Sequence, residues 1–313
     1  MPTPTVIRRW KKKVILCGLE TTYNTDPGLV NTDWFEAQNV SLTPCEVESQ
    51  DRPIVRPWMG NDPKLITAKR MKLSFEVALA ASGTLGTAPK IARFLLGAGN
   101  AETVTPVTKV EYTLISESFD SLAFYINIDG VLHKGTGGRC NISYAVDAKG
   151  LALMKVDITS LYIAPVDAAA FTEDRTGWPL ALAVNSANVA TCTLNGVASF
   201  YSKFSLDFGN KVQHHNYPGG YEEVAIDDRA PSASMSILAP LLATFDPFAL
   251  EDAQTIIPIQ TVIGSAAGKK VQIDVDATIT NVAYEDIDGH VGYSLSLMPL
   301  WSGGNNEIKT TFI

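Results

Sequence analysis

FYINIDGVLHKG, residues 124–135, decides the fold class. Phe124, Ile126 and Ile128 alternate with Tyr125 and Asn127, the period-two pattern of a strand with one buried face. Asp129-Gly130 follows, the dipeptide that accepts positive φ in a two-residue type I′ turn. Val131-Leu132-His133-Lys134 then starts back. The stretch reads as a β-hairpin, and it carries no grouping of nucleophile, base or metal ligand.

Strand patterns of the same kind extend in both directions. Met71, Leu73, Phe75, Val77 and Leu79 alternate with Lys72, Ser74 and Glu76, which predicts a half-buried strand. NVSLTP (39–44) reads as a shorter strand before it, joined by a polar, Pro-rich loop. Further strands are expected at Val110–Ile115, Leu122–Ile128, Arg139–Val146 and Leu151–Ile163. TAPKIARFLLGAGN (87–100) breaks the pattern, because Ile91, Phe94, Leu95 and Ala98 recur at helical spacing. Thr87 is placed to cap this short helix, Pro89 sits in its first turn, and Gly97, Gly99 and Asn100 end it.

The order recurs in the second half. KFSLDFG (203–209) echoes NVSLTP, and SASMSIL (232–238) echoes RMKLSF. Ser41 to Leu73 and Ser205 to Ile237 are both 32 positions apart, since 73 − 41 = 237 − 205 = 32. Asp246-Pro247 is placed to cap a second short helix, and Ile257–Ile263 stands where the opening hairpin stood. Val156 and Ile158 match Tyr293 and Leu295 at a constant offset of 137, apolar on apolar. A one-residue slip inverts such a match. The expected organisation is an N-terminal basic arm (1–29), a β domain (30–166), a linker (167–190) and a second copy of the β domain (191–313). The fold class is mainly β, sandwich or barrel-like, with one short flanking helix per copy.

The 313 residues fit two domains, each long enough to bury a core without disulfides. The four cysteines (Cys17, Cys45, Cys140, Cys192) are scattered, with no CxxC, which suits a reducing compartment and argues against a disulfide framework or zinc site. Val14 to Leu19 is too short for a signal peptide. The uncharged run 176–202 has the length of a membrane span, but Asn185, Asn188, Asn195 and Pro179 disqualify it. Net charge is −8, and Arg8, Arg9, Lys11, Lys12 and Lys13 surround Trp10 on the arm. Without these five the chain would stand at −8 − 5 = −13. Such an arm suits nucleic acid, an acidic copy of the same protein, or plain solvation.

Motifs for chemistry fail on inspection. GSAAGKK (264–270) is one residue short of a P-loop and has Lys270 where the hydroxyl residue belongs. EDIDG (285–289) lacks the closing Glu of an EF-hand and reads as an acidic turn. Adjacent His214 and His215 face opposite ways on any strand. No residue supports an enzyme, and no cofactor or metal is expected.

Five stretches, in order, resemble the major tail tube proteins of long-tailed, non-contractile bacteriophages: GLETTYNTDPG (18–28), SFEVALAASGTLGTAP (74–89), FYINIDGVLHK (124–134), SLDFGNKV (205–212) and DDRAPSASMS (227–236). The resemblance implies β domains with one flanking helix, and for tandem members trimeric rings of pseudo-sixfold symmetry. Stacked rings would form the conduit through which genomic DNA leaves without specific binding. It also implies tail terminator, tape measure and tail tip proteins as partners, a place in the virion tail, and assembly in the host cytoplasm. Arg8, Arg9, Trp10, Lys11, Lys12 and Lys13 are the candidate inter-ring arm. Glu76, Asp157 and Thr159, with Asp274, Asp276, Ser294 and Ser296, are the candidate lumen-facing residues; the alternative is that they face outer solvent. A two-domain carbohydrate-binding or adhesin module is the other reading, and it requires clustered exposed aromatics, whereas Trp10, Trp34, Trp58, Trp178 and Trp301 are scattered.

Overall fold

Asp129 and Gly130 take φ of +43° and +98°, the left-handed pair a type I′ turn requires, so the hairpin read from the sequence is present. The computed structural model describes residues 7–178 and 180–313. The first half contains β1 (Lys13–Leu19), β2 (Gln38–Gln50), β3 (Leu65–Ala78), α1 (Ala92–Gly97), β4 (Asn100–Thr105) and β5 (Lys109–Leu114). β6 (Leu122–Ile128), β7 (Val131–Asp147), β8 (Ala152–Tyr162) and β9 (Val166–Asp167) complete it. The second half contains β10 (Val189–Leu194), β11 (Val197–Ala198), β12 (Tyr201–Asp207), β13 (Asn210–Tyr217), β14 (Tyr221–Arg229) and β15 (Ser232–Leu238). After these come α2 (Pro247–Asp252), β16 (Ile257–Ile263), β17 (Val271–Ile287), β18 (His290–Pro299) and β19 (Ile308–Phe312).

Strand pairing defines one run that crosses the whole chain: β2-β3-β8-β7-β12-β15-β18-β17, every step antiparallel. A transverse row of apolar residues occurs in it twice. Leu42, Leu73, Ile158 and Cys140 stand opposite one another in the first half; Phe204, Met235, Leu295 and Val282 do so in the second. The offset from Ile158 to Leu295 is the 137 read from the sequence. From Leu42 to Phe204 it is 162, where the sequence echo has 205 − 41 = 164. A slip of two leaves every side chain on its own face, so alternation could not detect it.

β7 and β17, 17 residues each, change layers midway. Their N-terminal parts pair with β6 and β16, and their C-terminal parts join the run above. Each kinks at a bulge, between Thr136 and Arg139 in β7 and between Ile279 and Asn281 in β17, which is how one strand serves two sheets. The second layer adds β1 beside β6 in one half, and β10, β19, β5 and β4 around β16 and β17 in the other. The apolar faces of both layers fill one core, in which Phe35, Phe75 and Phe94 meet with centroids 4.8–5.1 Å apart. A smaller cluster around Leu16, Trp34 and Tyr125 lies under the segment carrying Phe171 and Trp178.

Three local readings change. The arm is shorter than 1–29: its residues 1–6 lie outside the described part, and from Lys13 the chain is β1, paired along its length with β6. α1 begins at Ala92, with no side-chain cap from Thr87, because the residue before Pro89 is driven out of the helical region. Its apolar residues Ile91, Phe94, Leu95 and Ala98 are nevertheless all buried. The polar loop expected after NVSLTP shortens to 51–64, because β2 and β3 run on as a long hairpin on either side of it, and 210–229 forms the β13–β14 hairpin. Asp246 caps α2 as read, accepting from the N–H groups of Phe248 and Ala249 at 3.1 Å each.

Phe75→Ala should lower stability by about 3–5 kcal/mol through lost burial and the cavity it leaves. Asp246→Ala, which removes only a cap, should lower it by about 1 kcal/mol. Urea unfolding of both variants beside the parent checks the order; an Asp246→Ala loss equal to that of Phe75→Ala would contradict this account of the core.

Candidate assembly surface

The eight-strand run has two unlike faces. One is the apolar face just described. On the other, β12, β15, β18 and β17 set Ser205, Ser234, Ser296 and Asn281 in one row, and Lys203, Ser236, Ser294 and Ala283 in the next. Across β3, β8 and β7 the same face carries Ser74, Asp157 and Asn141 in line, with Lys72, Thr159 and Arg139 beside them, Arg139 buried against the Tyr23 ring. Small hydroxyl and amide side chains dominate. Some of the charges are matched: Lys155 lies 2.9 Å from Asp157, while the Glu76 carboxylate accepts from the neutral amide of Asn39 at 2.7 Å. Toward the β2–β3 hairpin, Arg70 Nε and Lys72 Nζ approach Glu46 to 2.6 and 2.8 Å. The Arg70 hydrogen bond, then that of Lys72, holds the Glu46 carboxyl down at about 2.

Of the residues singled out in the sequence, the fold brings Glu76, Asp157, Thr159, Ser294 and Ser296 onto this one face. It separates Asp274 and Asp276, which lie on the N-terminal part of β17 between β16 and β19. There Gln260 and Gln272 donate to Asp274, and Lys309 Nζ stands 3.7 Å from it, in a cleft of about 660 Å³. Burial raises the Asp276 carboxyl above its ordinary value, the Asp274 charge adds to this, and Lys309 opposes it. The sequence groups these carboxylates with Ser294 as polar members of paired strands; the change of layer at the β17 bulge is what divides them.

The described part of the arm lies against its own body. Arg9 N donates to Asp129 at 2.6 Å, Lys12 Nζ is 3.3 Å from Asp129, and Arg8 pairs with Asp167 at 3.3 Å. Lys13 sits over the Trp10 ring at 3.2 Å, and Lys11 is exposed. The remaining motifs have structural settings. GSAAGKK is the β16–β17 connection, and Asp288-Gly289 is a left-handed turn like Asp129-Gly130. His214 and His215 bond Glu222 and Asp227 across the β13–β14 hairpin. Cys17, Cys140 and Cys192 are buried; burial pushes the thiols of Cys17 and Cys192 up to about 12. Among the described residues no group of three or more His, Cys, Asp or Glu could hold a metal ion, and no helix is long and apolar enough to cross a membrane.

Sequence reasoning missed the two ends of the run. Along β2 only the edge facing β3 is paired, and the C-terminal part of β17 is paired only with β18, among the described residues. The available signal was in the loop between β2 and β3, where Ile54, Val55, Trp58 and Met59 are apolar and exposed in the folded chain, Val55 and Met59 completely. Unpaired strand edges and exposed apolar residues are both marks of a protein that meets another chain. A comparison with curated protein sequences returned no match. The sequence model of the family described as phage tail tube protein matches residues 10–298. By that match, over most of its length, the chain belongs to the phage tail tube protein family.

Proposed function

We propose that this tail tube protein builds the tube as stacked trimeric rings of pseudo-sixfold symmetry, each chain supplying two tandem copies of the β domain, 30–166 and 191–313, joined by the linker 167–190. Membership of the family makes it a structural protein of the virion tail. The single observation behind the finer reading is the eight-strand run with a hydroxyl-rich face and an unpaired edge at each end. Three such runs joined edge to edge make 3 × 8 = 24 strands. At about 4.8 Å per strand that is roughly 115 Å around, and roughly 150 Å at a tilt of ~40°. Barrels of 16–18 strands already leave an aqueous channel, so a ring this size admits a DNA duplex.

The apolar face packs on the second layer, which leaves the serine-rich face for the channel. Phosphate contacts by Lys or Arg would hold DNA by a salt-dependent attraction. A face of hydroxyls, amides and neutralised charge pairs lets it slide, as ejection into the host demands. In this reading the protein has no catalytic role, needs no cofactor, and meets tail terminator, tape measure and tail tip proteins at the ends of the tube. Assembly takes place in the host cytoplasm.

Electron microscopy of the purified protein tests the assembly: rings with three chains and six similar lobes are expected, and six identical chains per ring would overturn the trimer. For the channel face, tails built with Ser234→Lys and Ser296→Lys should assemble and eject DNA more slowly, most at low salt. The same effect from Asp274→Lys and Asp276→Lys, with the serine variants unchanged, would put the channel on the other surface. Deleting residues 2–13 should leave folded, soluble protein that fails to polymerise; tubes of normal length would reduce the arm to a tail.

A further inference from the structure

The chain contains, within itself, a finished example of the contact that its two ends lack. β12 lies antiparallel on the free side of the C-terminal part of β7, with Lys203 opposite Asp147, Ser205 opposite Ala145 and Asp207 opposite Ser143. The ladder continues past β12, where Phe208 N donates to Ile142 O at 3.1 Å, and the Tyr144 and Phe208 rings meet edge-on at 5.5 Å. Beyond it the β13–β14 hairpin lies over the first half. Val224 is fully buried there and its N–H donates to the Tyr23 hydroxyl at 2.7 Å, while Arg229 Nη1 donates to Ile115 O at 3.2 Å.

In the repeated apolar rows, β2 occupies the place of β12 and β17 the place of β7. Leu42 corresponds to Phe204, and Val282 to Cys140. What the internal joint buries is left open at the outer ends. Ile142 is 0% exposed, and its counterpart two positions past Val282, Tyr284, is 66% exposed. Phe204 is 1% exposed, whereas Leu42 is only half-buried and Pro44 is exposed. The β2–β3 hairpin, placed as β13–β14 is, carries Val47, Ile54, Val55, Trp58, Met59 and Leu65, all left exposed by the described residues of its own chain.

We propose that β2 of one copy adds antiparallel to the C-terminal part of β17 in a second copy, with Thr43 opposite Ile287, and that the β2–β3 hairpin then lies over the second copy's C-terminal half. This rests on the self-assembly reading above and names its joint. The occupant is a copy of this chain because the internal ladder already shows a strand of this place in the repeat seated on a strand of that place. Ser205 and Ala145 give the register for Thr43 and Ile287, and three positions to either side the opposite pairs Phe208–Ile142 and Ser202–Ala148 are joined by direct N–H···O bonds. Ser205 and Ala145 therefore form the closer, non-hydrogen-bonded kind of pair, with Cα atoms about 4.5 Å apart. β2 bulges just after Thr43 and then resumes, so that Val47 comes level with Tyr284, exposed apolar against exposed aromatic. Pro44 lies at the bulge and cannot donate, so the outer ladder has one bond fewer than the inner one. Donor and acceptor sit at opposite ends of the run, which makes the contact heterologous and able to close into a ring.

Disulfide trapping tests it, since a cross-strand pair this close lies within disulfide reach. In a Cys45→Ser background, which removes the exposed native thiol, Thr43→Cys with Ile287→Cys should give intermolecular disulfides under oxidation, ending at a covalent trimer on non-reducing gels. Ser205→Cys with Ala145→Cys should close within one chain and serves as the positive control; Thr43→Cys with Asp286→Cys, which points to the opposite face, should not cross-link. If tubes form by microscopy and the internal control closes, but the Thr43→Cys, Ile287→Cys variant stays unlinked, this joint is overturned while tube assembly stands. Absence of both tubes and link overturns both readings. A link without tubes supports the joint and removes the tube.

Discussion

Everything in this molecule follows from where β7 changes partners. A backbone N–H or C=O buried without a partner costs as much as a lost hydrogen bond, so a 17-residue strand that leaves one sheet must enter another at once. β7 does so at Gly137 and Gly138. Gly137 takes φ of +60°, and a side chain on Gly138 would meet the Leu122 carbonyl at 2.7 Å. Past that point the edge vacated by β6 is taken by β12, from the far half of the chain. The two layers, the single core and the crossing run of strands are consequences of that exchange.

The same exchange sorts the surfaces. Because side chains alternate across a strand, a sheet whose one face packs on α1, α2 and the second layer must present its alternate members elsewhere. Along β15 those are Ser232, Ser234 and Ser236, with Ala233, Met235 and Ile237 turned to the core. A run of serines at every second position is thus a statement about a face the core does not claim, which the serines share with Lys72, Lys155, Lys203 and Arg139.

Much of this was legible in the sequence. The Asp129-Gly130 turn, the alternation from Met71 to Leu79 and the offset between Val156 and Tyr293 depend on nearest-neighbour geometry, which sequence periodicity records. The Asp246 cap is equally local. What was not legible depends on partners distant in the chain. β1 was missed because Val14-Ile15-Leu16-Cys17 is a continuous apolar run buried on both faces, with no alternation to read. The two-residue error in the β2–β12 offset is invisible to a period of two. Asp274 and Ser294 were placed together because a bulge leaves almost no trace in composition, and so the candidate channel face was only partly drawn. The β2–β3 loop was read as polar for its prolines and charges, although Val55, Trp58 and Met59 stand among them.

The β7–β12 joint is held by more than its ladder: Asn141 donates to Asp207 at 2.8 Å and accepts from Asn210 N at 2.8 Å, while Asn210 Nδ2 reaches the carbonyls of Ala98 and Cys140. At the matching place on β17 stands Ala283, which can make none of these bonds. Because β7 and β12 share one chain, their joint forms at an effective concentration fixed by the tether, whatever the protein's abundance. A joint at the open ends has no such tether and no such clamp. One contact is therefore settled when the chain folds, and any other made with the same architecture answers to supply, forming as copies accumulate and opening as they dilute.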